Sequence, residues 1–258
     1  MSAASGYFVA GSSWLHRRNP LTKLLALGFI LLAAFLLPPL VLPALGAAVV
    51  VAAWTADLLR PLLRAMRIPA VLLLSILVVN SLFFPGATDK LVFVGPLAIT
   101  REGLTFGLVS AGRVLVAFLT SVTFLFTTLP DDMLESLITR GASHRISFVV
   151  LSAIQLVPRM GSRAGAILEA QQARGLSLEG SLARRIRSLV PLITPVLLGS
   201  LIDARERTFA LEARGFAARP GRTAYRVVAD PAIDRWLRLA ILAASVGVVL
   251  VALGVLPL

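Results

Sequence analysis

The chain reads as an all-α integral membrane protein with about five transmembrane helices and long amphipathic helices at the cytoplasmic face. Three observations predict this. Of 258 residues, 57% are hydrophobic, and the mean hydropathy is +0.88, well above that of a soluble domain. Several apolar runs approach the roughly 20 residues a helix needs to cross about 30 Å of hydrocarbon, and none shows the alternation of a membrane barrel strand. Charge, finally, is concentrated: of 25 Lys and Arg, 15 fall between Arg140 and Arg235.

The runs 21–37 and 40–56 are separated by Pro38-Pro39 without a charge, so they read as a helical hairpin with a tight external turn. Residues 57–69 carry Arg60, Arg64 and Arg67 and return the chain on the cytoplasmic side, which orients the N-terminus inward. A third span is expected at 70–84, an external connection at 85–103, and a fourth span at 104–129. Residues 1–19 lack a cleavable leader pattern, so the first apolar run is expected to stay in the membrane. These elements make an N-terminal membrane region, 1–129.

Beyond Pro130-Asp131-Asp132 the pattern changes. One of the two aspartates is expected to cap a helix. Within 130–235 the apolar runs 146–157 and 188–202 are too short to span comfortably and are flanked by arginines, so they belong to long amphipathic helices at the interface. Arg219-Pro220-Gly221-Arg222 reads as a basic turn. A final uncharged run, 239–258, supplies the last span of a C-terminal segment, 236–258.

Two tripeptides stand out in the basic region: Ala173-Arg174-Gly175 and Ala213-Arg214-Gly215, each followed by a bulky apolar residue, Leu176 or Phe216. Glycine suits the left-handed position that closes a helix, and a cation suits the negative end of the helix dipole. Each tripeptide therefore presents a guanidinium at a helix end. Arginine makes bidentate bonds to carboxylates and keeps its charge in a partly dry groove. Two copies fit a partner with two equivalent grooves, such as a dimer of ATPase subunits.

Other chemistry is sparse. With no cysteine and only His16 and His144 as histidines, neither thiol chemistry nor a histidine metal site is expected. There is no G-x-x-x-x-G-K-[ST] loop to hold nucleotide phosphates, and no H-E-x-x-H or G-x-S-x-G. The net charge of +12 follows from lysines and arginines gathered at the cytoplasmic side, so lipid headgroups rather than nucleic acid are the expected anions. Arg113, near the middle of the fourth span, either faces protein or water as an intramembrane contact or snorkels to the interface.

Ser13-Trp14-Leu15-His16-Arg17-Arg18-Asn19-Pro20-Leu21-Thr22-Lys23 is similar to the N-terminal motif of the transmembrane T component of energy-coupling factor (ECF) transporters, the EcfT or CbiQ type. Pro20 and Lys23 fall at the expected places, and Asn19 stands where an acidic residue is expected. The two Ala-Arg-Gly tripeptides resemble that family's signature at the ends of its coupling helices. The resemblance implies a non-catalytic, multi-pass subunit of a prokaryotic plasma membrane. It would bind two ABC-type ATPases and a small membrane substrate-binding S component, and serve uptake of a vitamin or a transition-metal ion such as cobalt or nickel. ATP and Mg would be held by the ATPases, with no cofactor or metal in this chain. The alternatives are a conventional ABC permease enclosing its own pathway, or a membrane enzyme acting on lipid phosphates, for which Asp131-Asp132 would be the only close acidic pair.

Overall fold

The structure is a computed structural model that describes residues 8–85, 90–94, 97–176, 182–216 and 228–254. The turn expected at 219–222 lies outside the described residues. In chain order the helices are α1 (Pro20–Leu36), α2 (Leu42–Thr55, after a 3₁₀ turn at Pro39–Val41), α3 (Leu59–Ala65), α4 (Arg67–Phe83), α5 (Arg101–Thr127), α6 (Pro130–Ile138), α7 (His144–Ala173), α8 (Leu182–Ala213) and α9 (Ala232–Ala252). Strands β1 (Lys90–Val94) and β2 (Leu97–Thr100) form an antiparallel hairpin between α4 and α5. The described residues divide into two compact units, one within 8–141 and 228–254, the other within 142–216.

In the first unit, α5 and α9 are each long and apolar enough to cross a membrane. The pair α3 and α4 reaches that length only together, with a 53° bend at their junction, while α1 and Pro39–Thr55 are shorter apolar helices. The proline pair at 38–39 ends α1 and starts the 3₁₀ turn, as Pro lacks the N–H a continuing helix needs. The stretch 57–69, expected as a connection, is largely helical: α3 turns Leu62 into the core at 2% exposure and leaves Arg60 and Arg64 exposed.

The interior is built from small residues and a few large ones. Val49, Ala53, Ala56, Leu58, Leu62 and Leu119 form one buried cluster, and Ala34, Leu42 and Val116 another. The helices α4 and α5 pack closely through Gly103 and Gly107, a small-x-x-x-small pair of the kind that lets membrane helices approach. A Cβ at Gly103 would lie 2.4 Å from the backbone oxygen of Asn80, so only glycine fits.

A polar knot fastens the N-terminal motif. Asn19 caps α1, its side chain accepting from Leu21 N–H at 3.1 Å, with Pro20 at the first helical position as expected for a helix start. Its backbone N–H donates to Asp234 Oδ2 at 3.0 Å, and its Nδ2 donates to the carbonyl of Ala229 at 3.2 Å. Arg18 pairs with Asp234 at 3.4 Å, and Asp234 is fully buried. Lys23 Nζ donates to the carbonyl of Thr127 at 2.7 Å, and Trp14 Nε1 to Thr55 Oγ1 at 3.1 Å. The segment thereby joins α1 to the ends of α2 and α5 and the start of α9. An aspartate at 19 would lose the donor to Ala229 and set a second carboxylate beside Asp234, which accounts for asparagine here.

One expectation is corrected. Neither Asp131 nor Asp132 caps α6: Leu129 occupies the cap without a side-chain bond, Pro130 follows, and both aspartates lie in the first turn. There they act on the positive helix end as charges rather than as caps.

Candidate functional site

The helices α7 and α8 are 30 and 32 residues long, yet neither is among the helices apolar enough to cross a membrane. Both end in the same hydrogen-bond pattern. After α7, Gly175 N–H donates to the carbonyl of Gln172 at 2.9 Å and Leu176 N–H to that of Gln171 at 3.0 Å; after α8, Gly215 N–H donates to Glu212 at 2.9 Å and Phe216 N–H to Leu211 at 2.9 Å. This is the paired-bond Schellman cap, with its glycine in the left-handed region: Gly175 has φ +94° and Gly215 φ +71°. Ala173 and Ala213 are the last helical residues, and Arg174 and Arg214 fall at the cap itself. Both arginines are exposed, and their guanidinium groups have no hydrogen-bond partner among the described residues.

The cap alone does not mark a site. The helix α2 ends with the same bonds, Asp57 N–H to Trp54 and Leu58 N–H to Ala53, with Asp57 at φ 59°. There Leu58 is buried at 1%, and the turn steers the chain into the core. At the ends of α7 and α8 the same turn instead presents an arginine to solvent.

The two helices run antiparallel. Phe216, after α8, packs against Phe148 near the start of α7 with ring centroids 4.9 Å apart. Further along, Arg163 on α7 binds Asp203 on α8 through both guanidinium nitrogens, at 2.5 and 3.4 Å. Gly199 leaves room for that guanidinium, since a Cβ there would come within 2.8 Å of Arg163 Cζ. It follows that Arg174 and Arg214 occupy opposite ends of the pair, separated by roughly 40 Å at 1.5 Å per residue along α7. Between them runs an open groove of about 630 Å³ in which Arg159 and Arg207 join the Arg163–Asp203 pair, with apolar walls that include Leu156 and Leu211.

Both arginine caps stand where the sequence places them, whereas the Arg163–Asp203 pair and the groove are not marked by any local motif. Their signal was present: opposite charges facing across two amphipathic helices, visible only once the antiparallel register is known. Arg113 lies at the middle of α5 in the membrane unit, half-buried, with its Nε buried and without a hydrogen-bond partner. Also unmarked in the sequence is a cluster centred on Asp230, which accepts from Arg238 Nη1 and Nη2 at 2.8 and 3.0 Å and from Arg140 Nη2 at 2.9 Å. These bonds, those from Arg238 foremost, hold the Asp230 carboxyl below its usual range. The cluster ties the segment before α9 to the end of α6, a structural task. Among the described residues no three potential metal ligands lie together.

Comparison with known proteins gives this arrangement a family. The family described as Cobalt transport protein, CbiQ, matches residues 11–225. The energy-coupling factor transporter transmembrane protein EcfT of Heliobacterium modesticaldum is 33% identical over 232 residues, 86% of each chain. That of Acidaminococcus fermentans is 29% identical over 229 residues, 84% of this chain and 85% of its own. A protein of Bifidobacterium longum, named as an ABC transporter ATP-binding protein, is 32% identical over 86% of this chain, but the match spans only 30% of that longer protein. The match to CbiQ over most of the chain and the run of EcfT relatives have one consequence: the chain belongs to the CbiQ/EcfT family, the membrane-embedded T components of ECF transporters.

Proposed function

We propose that this chain is the coupling subunit of an ECF-type importer, in which Arg174 and Arg214 each grip one of two ABC-type ATPase subunits and carry their ATP-driven motion to a separate membrane S component that binds the substrate. The observation that carries this reading is the matched pair of solvent-facing arginine caps at opposite ends of one antiparallel helix pair. A helix pair about 40 Å long can engage two subunits at once, and a guanidinium free of internal partners can enter a carboxylate-lined groove as a bidentate donor. The Bifidobacterium longum relative supports the pairing, since sequence like this chain occurs there within a protein named for ATP binding.

In this reading the chain is non-catalytic, and ATP and Mg are held by the ATPases. The N-terminus and the α7–α8 pair face the cytoplasm, in keeping with their arginines. The imported species is a vitamin or a transition-metal ion, selected by the S component.

The test is retention of ATPases by the tagged full chain purified gently from its native membranes. Arg174→Glu and Arg214→Glu are each expected to lower ATPase retention about tenfold or more, as when one partner of a docked charge pair is reversed. Arg205→Glu, an exposed arginine away from both caps, is expected to retain the ATPases. Undiminished ATPase retention and uptake in the double reversal would sink the proposal.

A further inference from the structure

The groove between α7 and α8 holds a charge arrangement that the arginine ends do not explain. Arg163 and Asp203 neutralise each other across the pair. One turn back along α7 stands Arg159, and one turn on along α8 stands Arg207; because the helices run antiparallel, the two face each other from opposite walls of the same groove. Neither guanidinium has a hydrogen bond or an ion pair among the described residues. Their charged neighbours on α8 come in opposite pairs outside the groove, Arg205 with Glu206 and Glu212 with Arg214, while on α7 Arg145 and Glu169 lie ten or more positions from Arg159. The groove therefore keeps two net positive charges. Like charges set opposite each other repel, and an anion bridging two guanidinium groups turns that repulsion into paired, charge-assisted hydrogen bonds.

Away from the arginines the groove turns apolar. It continues past Leu156, Val149 and Leu211 to Phe148, about 16 Å from Arg159 along α7 at 1.5 Å per residue. Val149 is 63% exposed, so this wall is apolar surface that the chain itself leaves uncovered. The site is thus built lengthwise, with a cationic head and an apolar slot. A helix about 10 Å across fills roughly 1,250 Å³ over that length, twice the groove's volume of about 630 Å³, so the slot takes a single extended chain rather than a helix.

We propose that this groove binds an anionic phospholipid, its phosphate bridged between Arg159 and Arg207 and one acyl chain lying along Leu156, Val149 and Leu211 toward Phe148. Charge and shape together select the occupant. A phosphodiester offers one unesterified oxygen to each guanidinium. A zwitterionic lipid would bring an ammonium beside two uncompensated cations, and a soluble phosphate would leave the apolar slot empty. The site uses the interfacial placement of the α7–α8 pair from the coupling reading but not its arginine ends, and the titration below contains no ATPase, so its failure would leave the docking at Arg174 and Arg214 standing.

The test titrates the full chain, delipidated in a neutral detergent, with dioleoylphosphatidylglycerol or dioleoylphosphatidylcholine and counts bound lipid by native mass spectrometry. The first phosphatidylglycerol is expected to bind about twentyfold more tightly than the first phosphatidylcholine, two basic charges each contributing roughly fivefold. Arg159→Gln/Arg207→Gln should bring that ratio close to one, and Ala153→Phe, which fills the apolar slot without touching a charge, should weaken phosphatidylglycerol binding. Arg60→Gln/Arg64→Gln, which removes the same charge from the exposed face of α3, should preserve the ratio. Equal binding of the two lipids by the parent, a preference that survives loss of Arg159 and Arg207, or one lost equally with Arg60 and Arg64 would overturn the proposal. Displacement of phosphatidylglycerol by millimolar inorganic phosphate would also overturn it and give the groove to a soluble anion. In native membranes, a benzophenone on Thr208→Cys, in the groove wall, should attach to lipid; capture of a protein there instead would give the groove to a partner.

Discussion

The membrane unit and the α7–α8 pair spend their side chains differently. In the first, Ala34, Ala53, Leu58 and Leu62 are at most 2% exposed, and Asp234 and Asn19 are buried with them. In the second, Leu192 is the one buried apolar residue among those described, while Ile146, Val149, Val157, Leu201 and Phe209 are each more than 60% exposed. A buried polar group is costly unless satisfied, and in the first unit the knot satisfies Asn19 and Asp234, although Arg113 Nε stays without a partner. Among the described residues of the second unit, Arg163–Asp203 and Phe148–Phe216 join α7 to α8, and the arginine ends stay open. Both units expose large apolar side chains, Leu40, Ile68 and Val71 in the first at more than 75%; they differ in that the first also encloses a bonded polar knot, whereas in the second the exposed apolar side chains stand beside open arginine ends, a surface of the kind other molecules cover.

The contrast can be broken most forcefully at Asp234. Removing it in Asp234→Leu strips Asn19 N–H and Arg18 of their acceptor, and is expected to destabilise the membrane unit by about 2–4 kcal/mol, read as a lower thermal unfolding temperature in detergent. If melting is unchanged, the knot does not hold the helices. Asn19→Asp should destabilise in the same direction, with partial recovery in the Asn19→Asp/Asp234→Asn double variant.

A smaller effect is expected at the caps. Gly175→Val and Gly215→Val force a β-branched residue into the left-handed region at about 1–2 kcal/mol, loosening only the last turn. ATPase retention should fall while the charge at Arg174 and Arg214 stays intact and the main unfolding transition stays in place. If retention holds, the charge matters and the cap geometry does not.

Smaller still is the Asp230 cluster, which is partly exposed. Because bonds from Arg238 lower the folded carboxyl's pKa, its stabilisation is present above the unfolded value of about 3.9 and is lost as pH falls through the lower folded value. The difference in melting between the parent and Asp230→Asn should therefore be visible at neutral pH and vanish in acid. Arg113→Leu is expected to leave ATPase retention unaltered; loss of docking there would mean that the two units do not divide their tasks in this way.

The order of apolar segments and the two arginine ends were legible in the sequence because each depends on residues close together in the chain. Hydropathy marks a helix by its length, and Ala-Arg-Gly marks a cap within three positions. The knot was not legible, although its motif was recognised, because Asn19 finds Asp234 across 215 intervening steps of chain and only the fold brings them together. The β1–β2 hairpin falls in the stretch expected as a connection, though the β-branched and aromatic residues of Lys90–Val94 favour a strand. Asp131 and Asp132 looked like caps by type, but Pro130 fixed the helix start one residue earlier.

The most direct test of the central claim is site-specific cross-linking, for which a chain without cysteine is a clean background. Gln172→Cys and Glu212→Cys, exposed positions one turn or less from Arg174 and Arg214, would be labelled separately with a benzophenone maleimide in membranes containing the partner proteins, and the cross-linked products identified by mass spectrometry. The account predicts that both positions capture an ABC-type ATPase subunit. Capture of an ATPase at neither position, or at one with the other reaching only lipid, would contradict the claim that the two arginine ends grip two subunits.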